Sequence, residues 1–156
     1  MKLKEYEGKA IFKRYKIAIP SSFLVKNIKD VKKKKGNFVV KAQVLMGKRK
    51  KSGLIKKANS NNLKSIIKNL LNKKIKNIKV NEVLVEELIP IDKELYVSLM
   101  VDRSDKNIKC IVSSEGGTDI EEIAKRFPNK IIKFPIIKFN KTLIKNNLKN
   151  FQYKKK

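Results

Sequence analysis

The stretch from Lys41 to Lys56, KAQVLMGKRKKSGLIK, sets a β-type apolar run against four consecutive cations, Lys48, Arg49, Lys50 and Lys51, bracketed by Gly47 and Gly53. Backbone amides in a loop of this kind donate to phosphate oxygens, and the ammonium groups offset the phosphate charge. Three uses compete: a cradle for nucleotide phosphates, a patch for nucleic acid, or a by-product of a lysine-rich composition. The loop is not a Walker A motif, which needs G-x-x-x-x-G-K-[ST], because Lys51-Ser52 here follows Lys50. Lys41 lies on the preceding strand. Facing inward it meets the same phosphates, and alternating outward it is a solvated cation; the pattern leaves both open. Glu86 ends the run VLVE, and Glu94 follows in DKELYV. Carboxylates at the rim of an apolar strand connection can hold an adenine amino group or ribose hydroxyls, while solvation on a lysine-rich surface is the alternative.

Other chemistries find few residues. The 156 residues contain no histidine and one cysteine, Cys110, so a histidine-based triad cannot form within them and a zinc site has almost no ligands. Cys110 sits in the apolar run KCIVSS and reads as a buried structural thiol. No stretch approaches the ~18–20 apolar residues of a membrane span. The start, MKLKE, meets charge at once instead of an apolar signal region, so the cytoplasm is the expected compartment. The formal charge of +26 predicts binding to polyanions at low salt. That charge comes from 36 lysines and only 4 arginines, whereas dedicated nucleic-acid readers lean on the arginine fork. Lysine, isoleucine and asparagine make 71 of the residues, and all three have A/T-rich codons, so genome bias accounts for much of the basicity.

The elements that position these residues follow from periodicity. Leu3, Tyr6, Ala10 and Tyr15 fall at mostly helical spacing before a turn at Pro20. FLVKN reads as a short strand, and KDVKKKKGN as a charged helix end or loop with Gly36 as C-cap. FVVKAQVLM and GLIKKA read as strands, forming a hairpin around the Gly47–Gly53 loop. Leu63, Ile66, Ile67, Leu70 and Leu71 make a full apolar helical stripe, capped by Asn59 or Ser60. NKKIKNIKVN is a polar connector. VLVEEL is a strand ending before Pro90, and ELYVSLMVDR pairs with KNIKCIVSS across a RSDKN turn. EGGTD opens a short helix, DIEEIAKRF, with Asp119 as cap, and KIIKFPI is the last strand. Strand pairs separated by single helices predict an α+β fold.

Four segments then carry a resemblance: LKEYEGKAIFKRYKIAIP, VVKAQVLMGKRKKSGLIK, VLVEELIPIDKELYVSLMVDRS and SSEGGTDIEEIAKRFPNKIIKFPI. In this order and spacing they resemble the N-terminal, ATP-grasp part of the β subunit of ADP-forming succinyl-CoA synthetase, over about Met1 to Ile136. The resemblance implies an ATP-grasp domain over residues 1–136, incomplete as a grasp; residues 137–156, with seven lysines and no acid, read from their composition as a basic helix or a disordered tail. It implies an activity in the tricarboxylic acid cycle: succinate, coenzyme A and ATP giving succinyl-CoA, ADP and phosphate. Lys41, in the family's V-V-K-x-Q, would meet the nucleotide phosphates, and Lys48, Arg49 and Lys50 occupy the family's G-R-G phosphate loop. Glu86 would sit at the adenine hinge with main chain from Ile89, and Glu94 would hold the ribose. The Ser114–Gly117 turn matches the family's [ST]-E-G-G, taken as structural or interface-forming.

Two departures qualify that reading. The family loop A-G-G-R-G-K-A-G-G here reads MGKRKKSGL, so Lys48, Lys50 and Leu54 replace glycines and remove their conformational freedom. The family's E-I-N-P-L segment, which helps hold magnesium, has no match in residues 137–156, so ligands for Mg2+ are expected outside this chain. Expected partners are the α subunit, whose histidine is phosphorylated, and a separate C-terminal half of the β subunit. Two other readings stand beside this one: an inactive remnant of that subunit, and a non-specific polyanion binder. Aromatic residues do not interleave with the cations as a stacking platform for nucleic acid requires.

Overall fold

The computed structural model describes residues 2–116, 120–136 and 140–149. Its chain contacts divide into two units, Met1–Pro90 and Ile91–Lys156, each with its own core. Helices and antiparallel sheets are both present, which makes the fold α+β. Asp119, expected to cap a helix, lies outside the described residues, as does the Gly117 end of the Ser114–Gly117 turn. Among the described residues no helix is long and apolar enough to cross a membrane.

In the first unit the opening segment forms α1 (Glu5–Arg14), followed by strand β1 (Ser22–Val25). The lysine run after it is not helical beyond a single 3-10 turn at Ile28–Asp30, and Gly36 turns the chain at φ +127° into β2 (Asn37–Ala42). Strand β2 pairs antiparallel with β3 (Ile55–Asn59), so the expected hairpin around the cationic loop is present. Helix α2 (Leu63–Leu70) follows, then a two-residue ladder between β4 (Lys74–Ile75) and β5 (Ile78–Lys79), then β6 (Val83–Glu87). The ladder replaces the expected featureless connector: Asn72 and Lys76 adopt positive φ there, and Val80 is fully buried beyond it.

Strand β6 inserts between β1 and β2, giving the all-antiparallel order β1-β6-β2-β3. Alternation decides the two faces of this sheet. Phe38, Val40 and Ala42 of β2 and Val83 and Val85 of β6 point into the core, where α2 adds Leu63, Ile67 and Leu70. Full burial of one such side chain contributes about 1.5–3 kcal/mol. The helix start differs from expectation. Asn62 occupies the N-cap position, and the Asn59 carboxamide instead accepts from the Asn61 and Asn62 amides in a turn just before it. The opposite face carries Val39 and Lys41 of β2 with their register partners Glu86 and Leu84 of β6.

The second unit is a meander of β7 (Tyr96–Asp102), β8 (Asn107–Ser113) and β9 (Ile131–Ile136), with helix α3 (Ile120–Arg126) between β8 and β9. Near the C-terminus, where the sequence allowed a basic helix or a tail, the helix α4 (Lys141–Asn147) forms, capped by the Asn140 carboxamide. Ile144 and Leu148 pack on a small core of Cys110, Val112, Phe134 and Ile136. Burial pushes the Cys110 thiol pKa up, which suits an unreactive packing residue.

Candidate functional site

The register of β2 and β6 decides where Lys41 goes. Lys41 lies opposite Leu84 and Val39 opposite Glu86, so Lys41 and Glu86 are diagonal neighbours on the face away from the core. The Lys41 Nζ donates to Glu86 Oε1 at 2.7 Å and to Glu5 Oε1 of α1 at 2.8 Å. The other Glu5 oxygen accepts from Arg49 Nη2 at 2.7 Å, and Arg49 Nη1 donates to the Ala42 carbonyl at 2.9 Å. Lys9, one turn beyond Glu5 on α1, forms an ion pair with Glu86 Oε2. One carboxylate from the helix thus joins two cations from the hairpin, and one carboxylate from the sheet joins two lysines.

The cluster is largely withdrawn from water: the Glu86 side chain is 8% exposed, Lys41 18%, and Glu5 and Arg49 21% each. Burial by itself would push the Glu5 carboxyl up, yet its hydrogen bonds and charge interactions with Lys41 and Arg49 hold it below its ordinary range. Burial likewise works against the Lys41 ammonium, and Glu5 and Glu86 together keep its pKa raised. Glu5 and Lys41 are therefore both ionised near neutral pH. Gln43, itself buried, fastens the arrangement: its Nε2 donates to the Lys41 carbonyl at 3.0 Å, and its Oε1 accepts from the Tyr6 amide at 3.2 Å. Lys4, just before α1, adds an ion pair to the buried Glu82 at 2.5 Å.

The cationic loop is a compact turn. The amides of Ser52, Gly53 and Leu54 donate to the carbonyls of Lys48, Lys50 and Arg49, and the Leu54 carbonyl closes the hairpin on the Ala42 amide. These three amides end on the loop itself rather than facing a ligand. Lys48 holds φ +56°, a left-handed conformation in which a side chain is strained, at one of the positions where the resembled family has glycine. Leu54, at another, is completely buried and belongs to the core. The cation knot divides: Arg49 turns inward to Glu5, while the side chains of Lys48 and Lys50 stay on the exposed surface.

Of the residues singled out in the sequence, the fold brings Lys41, Arg49 and Glu86 into one cluster. Glu86 is buried, which removes the reading of it as a solvated surface acid. Ile89, just past β6, is 47% exposed. Glu94 belongs to the second unit, where its side chain is exposed and its carbonyl accepts from the Gly116 amide at 2.8 Å. Sequence reasoning missed Glu5 and Lys9. Their signal was the i, i+4 acid–base spacing on the first helix, passed over because that helix was read from its apolar residues alone. Among the described residues no group of three or more His, Cys, Asp or Glu side chains could hold a metal ion.

Comparison with known proteins decides the family. The ATP-grasp domain family matches residues 2–155, almost the whole chain. The chain belongs to the ATP-grasp family. Among curated relatives of this ATP-grasp chain is the succinate–CoA ligase [ADP-forming] subunit beta of Methanocaldococcus jannaschii, 47% identical over 139 residues, or 87% of this chain. The protein of the same name from Bacteroides thetaiotaomicron is 38% identical over 145 residues, 89% of this chain. The chain spans 38% of the length of the first relative and 39% of the second. A solved ATP citrate lyase from Methanothrix soehngenii, in complex with citrate and coenzyme A, superposes with a TM-score of 0.63 at 20% identity, covering 85% of this chain and 34% of that one. At that identity the likeness speaks for the ATP-grasp fold alone.

Proposed function

We propose that this ATP-grasp chain is the nucleotide-binding part of the β subunit of an ADP-forming acid–CoA ligase, with succinate as the acid. The observation that carries the proposal is the convergence of Lys41, Arg49 and Glu86 in one largely buried charge cluster, from segments distant in sequence. Charged groups held this far from water are costly unless they serve a ligand or one another. Identity of 47% to a succinate–CoA ligase β subunit over this stretch supports the same reading.

In this reading Lys41 and Arg49 meet the nucleotide phosphates from within the cluster, with Lys48 and Lys50 closing from the exposed rim of the loop. Glu86 and the main chain of Ile89 hold the base, and Glu94 holds the ribose. Mg2+ does not fit the described residues, since they offer no cluster of ligands, and the proposal assigns its coordination to groups outside them. A histidine of an α subunit would accept the phosphoryl group from ATP, leaving ADP, as part of the tricarboxylic acid cycle in the cytoplasm.

The test is calorimetric titration of the chain with ATP at about 150 mM salt, where loosely held surface anions are largely screened. Saturable binding is expected, and Lys41→Ala should weaken it by about tenfold or more, the effect of losing a charged hydrogen bond. Binding that the substitution leaves untouched would remove Lys41 from the site and the proposal with it.

A further inference from the structure

Glu5 has no part in the reading just given, yet it makes the most consequential contact in the cluster. Its two carboxylate oxygens engage Lys41 at 2.8 Å and Arg49 at 2.7 Å. These are the two cations withdrawn from solvent that the nucleotide reading assigns to phosphate. A carboxylate that presents one oxygen to each of two cations reproduces what two oxygens of a phosphate group would present. The element that supplies it is lightly anchored. None of the residues of α1 is buried, and what ties the helix to the sheet is mainly ionic, through Lys4–Glu82, Glu5–Lys41 and Lys9–Glu86. A helix held by its apolar face could not shift without exposing that face; this one can change partners.

We propose, on the basis of the nucleotide reading, that Glu5 is an internal stand-in for phosphate: it occupies Lys41 and Arg49 when no nucleotide is bound and must leave them when a polyphosphate arrives. In this role Glu5 is a positioning residue. It holds the two cations at the right spacing, and it sets a threshold that only a ligand of higher charge density passes. A triphosphate, which brings several negative charges, displaces the carboxylate; a monophosphate competes poorly. Selection for polyphosphates over nucleoside monophosphates follows from that difference. The exchange needs no bond to be made or broken, only a swap of anions on the same donors.

The experiment compares wild type and Glu5→Gln, full chain in each case, titrated with ATP, ADP and AMP. Removing the competing charge should raise AMP affinity about tenfold, with a smaller gain for ADP and the smallest for ATP, so that discrimination among the three narrows. A purely structural role for Glu5 would instead lower every affinity alike. Wild-type binding with equal or weaker binding by the variant overturns the inference and leaves the nucleotide reading standing. Failure of both proteins to bind ATP removes the nucleotide reading and this inference together. Should Glu5→Gln not fold, hydrogen exchange on the wild type answers the question. Saturating ATP should speed exchange of the α1 amides, and unchanged or slower exchange overturns the inference.

Discussion

At the scale of single residues, two glycines show how differently the same residue type can be constrained. A Cβ built on Gly116 would stand 2.7 Å from Cβ of Glu94 and 2.8 Å from its carbonyl carbon. The close approach is held by the Gly116 amide, which donates to the Glu94 carbonyl. Gly8, inside α1, has nothing within 4 Å of such an atom. Gly116→Ala should therefore cost about 1–3 kcal/mol through overpacking, whereas Gly8→Ala should gain up to about 1 kcal/mol from helix propensity. Urea unfolding followed by circular dichroism measures both. Equal effects from the two substitutions would refute this account of the SEGG turn. Lys48 illustrates a third case, because its left-handed backbone shows that the loop retains a glycine-like turn without the glycine.

At the scale of elements, α1 and α2 are held by opposite means. Helix α2 inserts Leu63, Ile67 and Leu70 into the core, an attachment that salt does not weaken. Helix α1 rests on ion pairs whose lysines keep 15–32% of their side-chain surface exposed, so salt at molar concentration reaches them although moderate salt is largely kept out. Between about 50 mM and 1 M NaCl, where the Debye length falls to about 3 Å, amide exchange in Glu5–Arg14 should accelerate while Leu63–Leu70 stays protected. Mass-spectrometric hydrogen exchange would detect this, and parallel behaviour of the two helices would mean that α1 is anchored by packing after all. The hairpin β2–β3 lies between these cases. Its inner face is locked by Phe38, Val40 and Ala42, while its outer face and loop carry the cations.

For the whole molecule, the net charge of +26 is the dominant quantity. It sets up a long-range attraction for any polyanion but gives that attraction no geometry. Binding of the chain to a random-sequence DNA duplex should fall by about a thousandfold or more between 50 and 200 mM salt, as counterion release requires when several phosphates are neutralised. ATP binding in the sheltered cluster should fall far less over the same range. A duplex affinity that survives the added salt and prefers one sequence would restore the nucleic-acid reading. Fluorescence anisotropy with labelled duplex, repeated at each salt concentration, makes the comparison.

Much of this was legible in the chain. The apolar stripe of α2, the alternation of β2 and the valine-rich β6 are local periodicities, and each element formed within the stretch its period marked, although β2 stops at Ala42, short of the end of FVVKAQVLM. The pairing of the two strands around the cationic loop was equally legible, because successive strands with no helix between them pair most simply as antiparallel neighbours. The motifs of the ATP-grasp family were visible as well, since they are contiguous. What the sequence left open was the direction in which Lys41 points and the company it keeps. That depended on β6 inserting between β1 and β2 in a register that sets Glu86 diagonally from Lys41. It depended also on a helix about 36 residues earlier delivering Glu5 to the same spot. Local pattern determines which face of an element is apolar. The partners of a buried charge are decided by long-range packing, where the cost of leaving that charge unpaired selects the arrangement that satisfies it.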